Sequence, residues 1–201
     1  MHNIVKEKAF LMKIQFTTKK ICFVAVFLAL TVILSSSIFS IPVPGGHLYM
    51  NDIIICLAAL VLDPISAFIV GGVGAFLGDA IFYPTPMFVS LVTHGLQAVA
   101  ISLIAGAGKY EKPNIVRAIV ALIAGVLIMV GGYTIGRAFI YSTPETALLK
   151  LPFQFLQAIT GAVVAAVLVY TTPIVRLIKP KEKKTAEPEH SEVPASEEKN
   201  V

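Results

Sequence analysis

Charge is scarce in this chain. Only 14% of its 201 residues are Asp, Glu, Lys or Arg, against about a quarter in a soluble domain. That shortage argues against a water-soluble globule. There are two cysteines, Cys22 and Cys56, both inside apolar runs, so neither a disulfide framework nor a metal-ligand spacing is visible. Tryptophan is absent. Catalytic signatures are missing too. Gly106-Ala107-Gly108-Lys109 lacks the upstream glycine and following hydroxyl of a phosphate-binding loop, which excludes ATP binding by that device. No H-E-x-x-H or G-x-S-x-G is present. Ser90 and His94 lie four residues apart but have no third residue to orient them as a nucleophile pair. No internal repeat stands out, which argues against a carrier built from two related halves. The chain reads as a non-enzyme with no cofactor and no metal site.

What is present is apolar: 56% of residues are hydrophobic and the mean hydropathy is +0.82. The apolar residues form blocks near the roughly 20 residues that a spanning helix needs. Six blocks are expected: Ile21–Phe39, Leu48–Leu62, Pro64–Ile81, Phe88–Ala107, Val116–Phe139 and Leu148–Ile178. The membrane part of the last stops near Pro173, and the second is short for a full crossing. Positive charge concentrates on cytoplasmic segments. Fourteen of the 16 lysines and arginines precede the first block, flank the loop between the fourth and fifth, or follow the sixth. Arg137 and Lys150 fall on the other side. The expectation is an all-α membrane protein, a bundle of six transmembrane helices with both termini cytoplasmic. A basic N-terminal segment covers residues 1–20, a membrane domain 21–178 and a disordered tail 179–201, the tail being too polar to fold. The net charge of +4 then reflects topology, not nucleic acid. A signal peptide at the start is disfavoured by the length of the first apolar run.

Polar groups inside a bilayer are costly and usually face a cavity or a partner. Here they share one depth. Asn51 and Asp52 open span two, and Asp79 lies near the outer end of span three. His94 and Gln97 share one face of span four. Tyr133 and Arg137 are one turn apart at the outer end of span five, and Gln154 and Gln157 lie near that of span six. The inner halves hold almost only Ala, Val, Leu, Ile and Gly. The pattern predicts a polar pocket opening outward, with Asn51, Asp79, His94, Gln97, Tyr133, Arg137, Gln154 and Gln157 as candidate substrate contacts. Plainer readings stand beside it. Arg137 and Asp52 suit residues reaching the headgroups, Asp79 and Arg137 suit a structural ion pair, and His94 suits a bond between helices. Tyr49, Tyr83 and Tyr141 read as interface aromatics. Ser40 to Gly46, stiffened by prolines and loosened by glycines, is either a lid or a connector. Gly71, Gly72, Gly74 and Gly78 suit close helix packing.

Ala25-Val26-Phe27-Leu28-Ala29, Gly46-His47-Leu48-Tyr49-Met50-Asn51-Asp52, Leu57-Ala58-Ala59-Leu60, Asp63-Pro64 and the glycine-rich run ending at Asp79 together resemble the substrate-binding S components of energy-coupling factor (ECF) vitamin transporters. The similarity is to the riboflavin, pyridoxine and hydroxymethylpyrimidine group and covers about Thr18 to Ile178. It implies a cell-membrane subunit that captures a small vitamin outside and docks, through Ala25 and Ala29, onto a transmembrane T component with two separate ATPase subunits. Pyridoxine or hydroxymethylpyrimidine is the expected substrate, riboflavin next, and pantothenate third on account of Arg137. With no tryptophan, tyrosine or phenylalanine takes over ring stacking. The alternative is a stand-alone proton-coupled carrier using Asp79 and His94.

Overall fold

A computed structural model describes residues 17–108 and 112–178. The C-terminal tail and all but the last four residues of the basic start lie outside the described residues. Helix α1 spans Thr18–Leu34 and is followed by a 3-10 turn at Ser37–Phe39. A hairpin comes next, with strand β1 at Ile41–Val43 and β2 at Gly46–Leu48. Helix α2 covers Asn51–Val61, α3 Pro64–Phe82, α4 Met87–Ala105, α5 Ile115–Tyr141 and α6 Pro144–Thr171. A short α7 runs over Ile174–Ile178. The fold is thus mostly helical, and the hairpin is a departure from the all-α expectation.

Capping residues set the boundaries. Thr17 accepts a hydrogen bond from the Lys20 amide at 3.3 Å, so α1 starts before the apolar block and carries Lys19 and Lys20 in its first turn. Asp63 accepts from the Ser66 amide at 3.4 Å ahead of Pro64. Thr143 and Thr146 form a reciprocal cap ahead of Pro144, which starts α6 earlier than its apolar block. Such caps satisfy amides that have no partner within the helix. Gly106, with φ of 68°, ends α4 in the left-handed conformation that glycine adopts freely.

Helices α3 to α6 are long and apolar enough to cross a membrane. Val26, Leu96, Ile123, Leu127, Leu156 and Val163 are all more than half exposed. So much outward apolar surface suits lipid as the solvent. Helix α2 is different. Ten of its 11 residues are buried, and it sits between α1, α4 and α6. At 1.5 Å per residue it is only about 16 Å long, roughly half the hydrocarbon thickness. Being sheathed by protein, it finds its polar partners on neighbouring helices. Ser102 on α4 donates to the Leu62 carbonyl at its C-terminal end at 2.7 Å. On α6, a Cβ at Gly161 would lie 2.6 Å from Asp52 Cβ and 3.0 Å from the Asp52 carbonyl carbon, so only glycine lets α6 approach α2 this closely. Gly72 does the same for α3 against α4: its Cβ would lie 2.9 Å from the Leu91 carbonyl oxygen. The glycines of α3 are packing residues, as their spacing suggests.

The end of the bundle where α2 meets α3 is tightly tied. Lys20 and Asp63 pair at 2.5 Å. Tyr170 donates to the Pro113 carbonyl at 2.8 Å, and Lys112 to the Tyr170 carbonyl at 3.4 Å. Burial alone would raise the Asp63 carboxyl, but the bonds from Lys20 and Ser66 and the lysine charge outweigh it and hold it below its ordinary value.

Candidate functional site

The opposite end of the bundle is hollow. Because α2 is short, its N-terminus stops partway, and the space beyond it is walled by α3, α4, α5 and α6 and covered by the hairpin. The cavity measures about 60 Å³ and is lined by residues from all these elements, among them Asn51, Asp79, His94, Tyr133, Arg137, Gln154 and Gln157. Seven of the eight residues marked from the sequence therefore share one chamber. Gln97 stands behind His94, fully buried.

Two hydrogen-bonded chains run through the floor. In the first, Asp52 is the acceptor for two amides: Gln97 Nε2 donates to Oδ1 at 3.2 Å and Gln157 Nε2 to Oδ2 at 2.6 Å. With its amide nitrogen so committed, Gln97 presents Oε1 to His94 Nδ1 at 2.7 Å. His94 Nδ1 is then the donor, and its Nε2 is left as an acceptor when the ring is neutral. Likewise Gln157 Oε1 accepts from the Tyr49 amide at 3.1 Å. Asp52 is 1% exposed and lies in the first turn of α2, where the helix dipole favours a carboxylate. Its reading as a headgroup-reaching residue is overturned by that burial. In the second chain, Tyr133 donates to Ser90 Oγ at 2.5 Å, and Ser90 donates to Asp79. Ser90 is fully buried and its proton is engaged, so no nucleophile is exposed there. Tyr133 meets the His94 ring edge-on at 5.2 Å.

Among the described residues, Asp79 and Arg137 form no ion pair, which removes the structural-pair reading. Arg137 instead reaches the hairpin. Its Nη1 donates to the Gly45 carbonyl at 2.8 Å, and its guanidinium lies over the Tyr141 ring at 5.3 Å. A π-turn at Arg137–Tyr141 widens the last turn of α5. Lys150 of α6 donates to the His47 carbonyl. The hairpin turn is Pro44-Gly45, with Gly45 at φ of 80°, as a type II turn requires at its third position.

Sequence reasoning missed four contributors. Lys150 is 3% exposed, although its position among the charges carried only a topological meaning. Tyr49, Tyr83 and Tyr141, read from the sequence as interface aromatics, line the chamber. The signal available for Lys150 was a lone lysine between apolar neighbours, seven residues before Gln157. Gln154 accepts from Thr134 Oγ1 at 3.4 Å. The unsatisfied groups are as telling as the bonded ones. Among the described residues, four buried side-chain polar atoms lack a partner, and three of them, Asn51 Oδ1, Arg137 Nε and Tyr141 OH, belong to chamber-lining residues. Buried polar atoms nearly always find partners, so their concentration here marks a place where something else supplies them. A second, mostly apolar crevice of about 170 Å³ lies between the hairpin, α2 and α6 and shares Tyr49 and Gln157 with the chamber.

Comparison with known proteins agrees with this architecture. An uncharacterized protein encoded in the gap 3' region of Pyrococcus woesei is 30% identical over 143 residues, covering 69% of this chain and 92% of its own length. A UPF0397 protein of Streptococcus gordonii is 26% identical over 136 residues, covering 65% of this chain and 73% of its own. The family model for the ECF-type riboflavin transporter S component matches residues 15–173. That match spans the whole helical bundle, and the chain belongs to this family of multi-pass membrane proteins, the non-enzymatic substrate-binding subunits of vitamin uptake systems.

Proposed function

We propose that this chain captures a one-ring, water-soluble vitamin or precursor, of the size of pyridoxine or hydroxymethylpyrimidine, for an ATP-driven ECF importer in the cell membrane. The observation that carries the reading is the chamber with its three unsatisfied polar atoms. Asn51, Asp79, His94, Tyr133, Arg137, Gln154 and Gln157 contact the substrate, while Gln97 orients His94. Tyr49, Tyr83 and Tyr141 supply the aromatic surface that tryptophan would otherwise provide. Six crossings with both termini cytoplasmic put the chamber on the outer side, and the charge distribution supports that orientation.

The chain contains no ATP-binding loop, so the energy comes from a T component and two ATPase subunits. Ala25 and Ala29 are exposed on the face of α1 turned away from Val24, Phe27 and Thr31. A stripe of small residues there permits close approach of a partner helix.

Native mass spectrometry of the purified protein in mild detergent, alone and with B vitamins and their precursors, tests capture. Retention of one compound, displaced only by close analogues, is the expected result. Co-purification with a T component, and transport in liposomes only when T component and ATPases are present, tests the coupling. Ala25→Leu combined with Ala29→Leu then abolishes transport and spares binding. Uptake by the protein alone under a pH gradient would favour a proton-coupled carrier using Asp79 and His94 instead.

A further inference from the structure

The chamber holds two cations that have no counter-ion. Lys150 is 97% buried by its 3% exposure, and its ammonium donates to the His47 carbonyl. Arg137 donates to the Gly45 carbonyl at 2.8 Å, and its buried Nε has no partner. Neither cation has a carboxylate within ion-pair distance among the described residues, where the lysine pair formed is Lys20 with Asp63. Asp79, which lines the chamber, accepts from Ser90, and Asp52 beneath it accepts from Gln97 and Gln157.

The two cations also converge. The position a Cβ would take at Gly46 lies 3.8 Å from Lys150 Nζ and 3.9 Å from both terminal nitrogens of Arg137. Like charges brought this close in a site shielded from water repel each other, and a buried unpaired charge is costly. The carbonyl dipoles of the hairpin offset that cost only in part. An anion offsets it fully, because a guanidinium and an ammonium side by side present several parallel donors to one carboxylate or phosphate.

We propose that the substrate of this chamber is an organic anion whose carboxylate or phosphate is held jointly by Arg137 and Lys150. On binding, the anion takes over donors now given to the Gly45 and His47 carbonyls and engages Arg137 Nε. The remainder of the molecule lies toward His94, Tyr133 and Asn51. This rests on the reading of the chamber as the substrate site and narrows it to charged members of the one-ring class.

The test uses the full-length protein in mild detergent and native mass spectrometry with matched pairs: pyridoxine with 4-pyridoxate, pyridoxine with its 5'-phosphate, and nicotinamide with nicotinate. The expected result is retention of an anionic member at least about tenfold more tightly than its neutral partner. Carboxylates and phosphates occupy separate arms, so the spectra identify which group is recognised. Arg137→Gln then weakens the anion by about tenfold or more and the neutral partner by much less, so that the preference for the anion collapses, while Arg137→Lys restores part of the loss and shows that the site still folds. A neutral compound retained as tightly as its anion, or an anion indifferent to Arg137→Gln, overturns the inference and leaves the substrate-site reading standing. A phospholipid retained in place of every panel anion, identified by its mass, also overturns it. Retention of nothing by folded protein overturns the inference and the substrate-site reading together.

Discussion

At one end of this bundle the charged and polar groups are matched: Lys20 with Asp63, Ser102 with the Leu62 carbonyl, Tyr170 with the Pro113 carbonyl. At the other end Arg137 and Lys150 donate to carbonyls and, among the described residues, pair with no carboxylate, and Asn51, Arg137 and Tyr141 each keep a buried polar atom unpartnered. The same chain, in the same solvent, leaves one described buried side-chain atom unpartnered at the first end, Ser66 Oγ, and three at the other. In an apolar medium that difference is expensive to maintain. Helix α2 is what separates the two regions. Its 11 residues fill the matched half with apolar side chains, and where it stops the chamber begins.

The sharpest way to break the comparison is at its boundary. Asp52 is the common acceptor for Gln97 and Gln157. Replacing it with leucine strands both amide donors in the bundle interior and frees Gln97 to turn away from His94. Asp52→Leu is expected to destabilise the protein by about 3 kcal/mol and to abolish ligand retention. Chemical denaturation in detergent, read alongside native mass spectra, checks both. A variant that lost binding with unchanged stability would mean that Asp52 belongs to the chamber alone and not to the frame.

A smaller effect is expected in the cover. Gly45→Val puts a β-branched residue at a φ of 80° and a Cβ 3.3 Å from that of Lys150. The strain is about 1–2 kcal/mol, and it falls on a hairpin that contributes little to the core. Global stability should therefore drop by less than the strain. Hydrogen exchange in residues 41–48 should rise, and a bound ligand should dissociate several-fold faster. A fall in global stability as large as that of Asp52→Leu would show that the hairpin is part of the frame and not a cover.

How much of this could be read without the structure depended on sequence separation. His94 with Gln97 and Tyr133 with Arg137 sit at helical spacing, so their shared faces were legible from the chain alone. The common depth of the polar groups was legible because the apolar blocks supply a ruler. Asp52 was misread because its partners lie 45 and 105 residues away, and the placement of α2 inside the bundle depends on Gly161 allowing close approach. Lys150 was missed for a related reason. It lies inside the sixth apolar block, where it was given only a topological meaning, and its partner His47 is 103 residues away. The π-turn that carries Arg137 leaves no periodic mark. The tyrosines follow the usual interface pattern and differ only in which way they face.

The smallest predicted effect lies at the matched end and tests whether the two halves are separable. Asp63 caps α3 and pairs with Lys20. Asp63→Asn keeps a capping oxygen and removes the charge, so the loss is the value of a partly buried ion pair, about 1 kcal/mol at pH 7. The sign of its pH dependence follows from the depressed carboxyl. Folding favours the ionised form, so the contribution is fully present above the ordinary carboxyl value of 3.8 and is lost as pH falls through the lower value in the folded protein. Wild type and variant should therefore differ near neutrality and converge in acid below that range. Ligand affinity should be the same in both at pH 7, since Asp63 lies at the far end of α2 from the chamber. If the asparagine variant bound ligand more weakly, the two ends would be coupled through α2, and a ligand entering the chamber would in turn tighten the Lys20–Asp63 end.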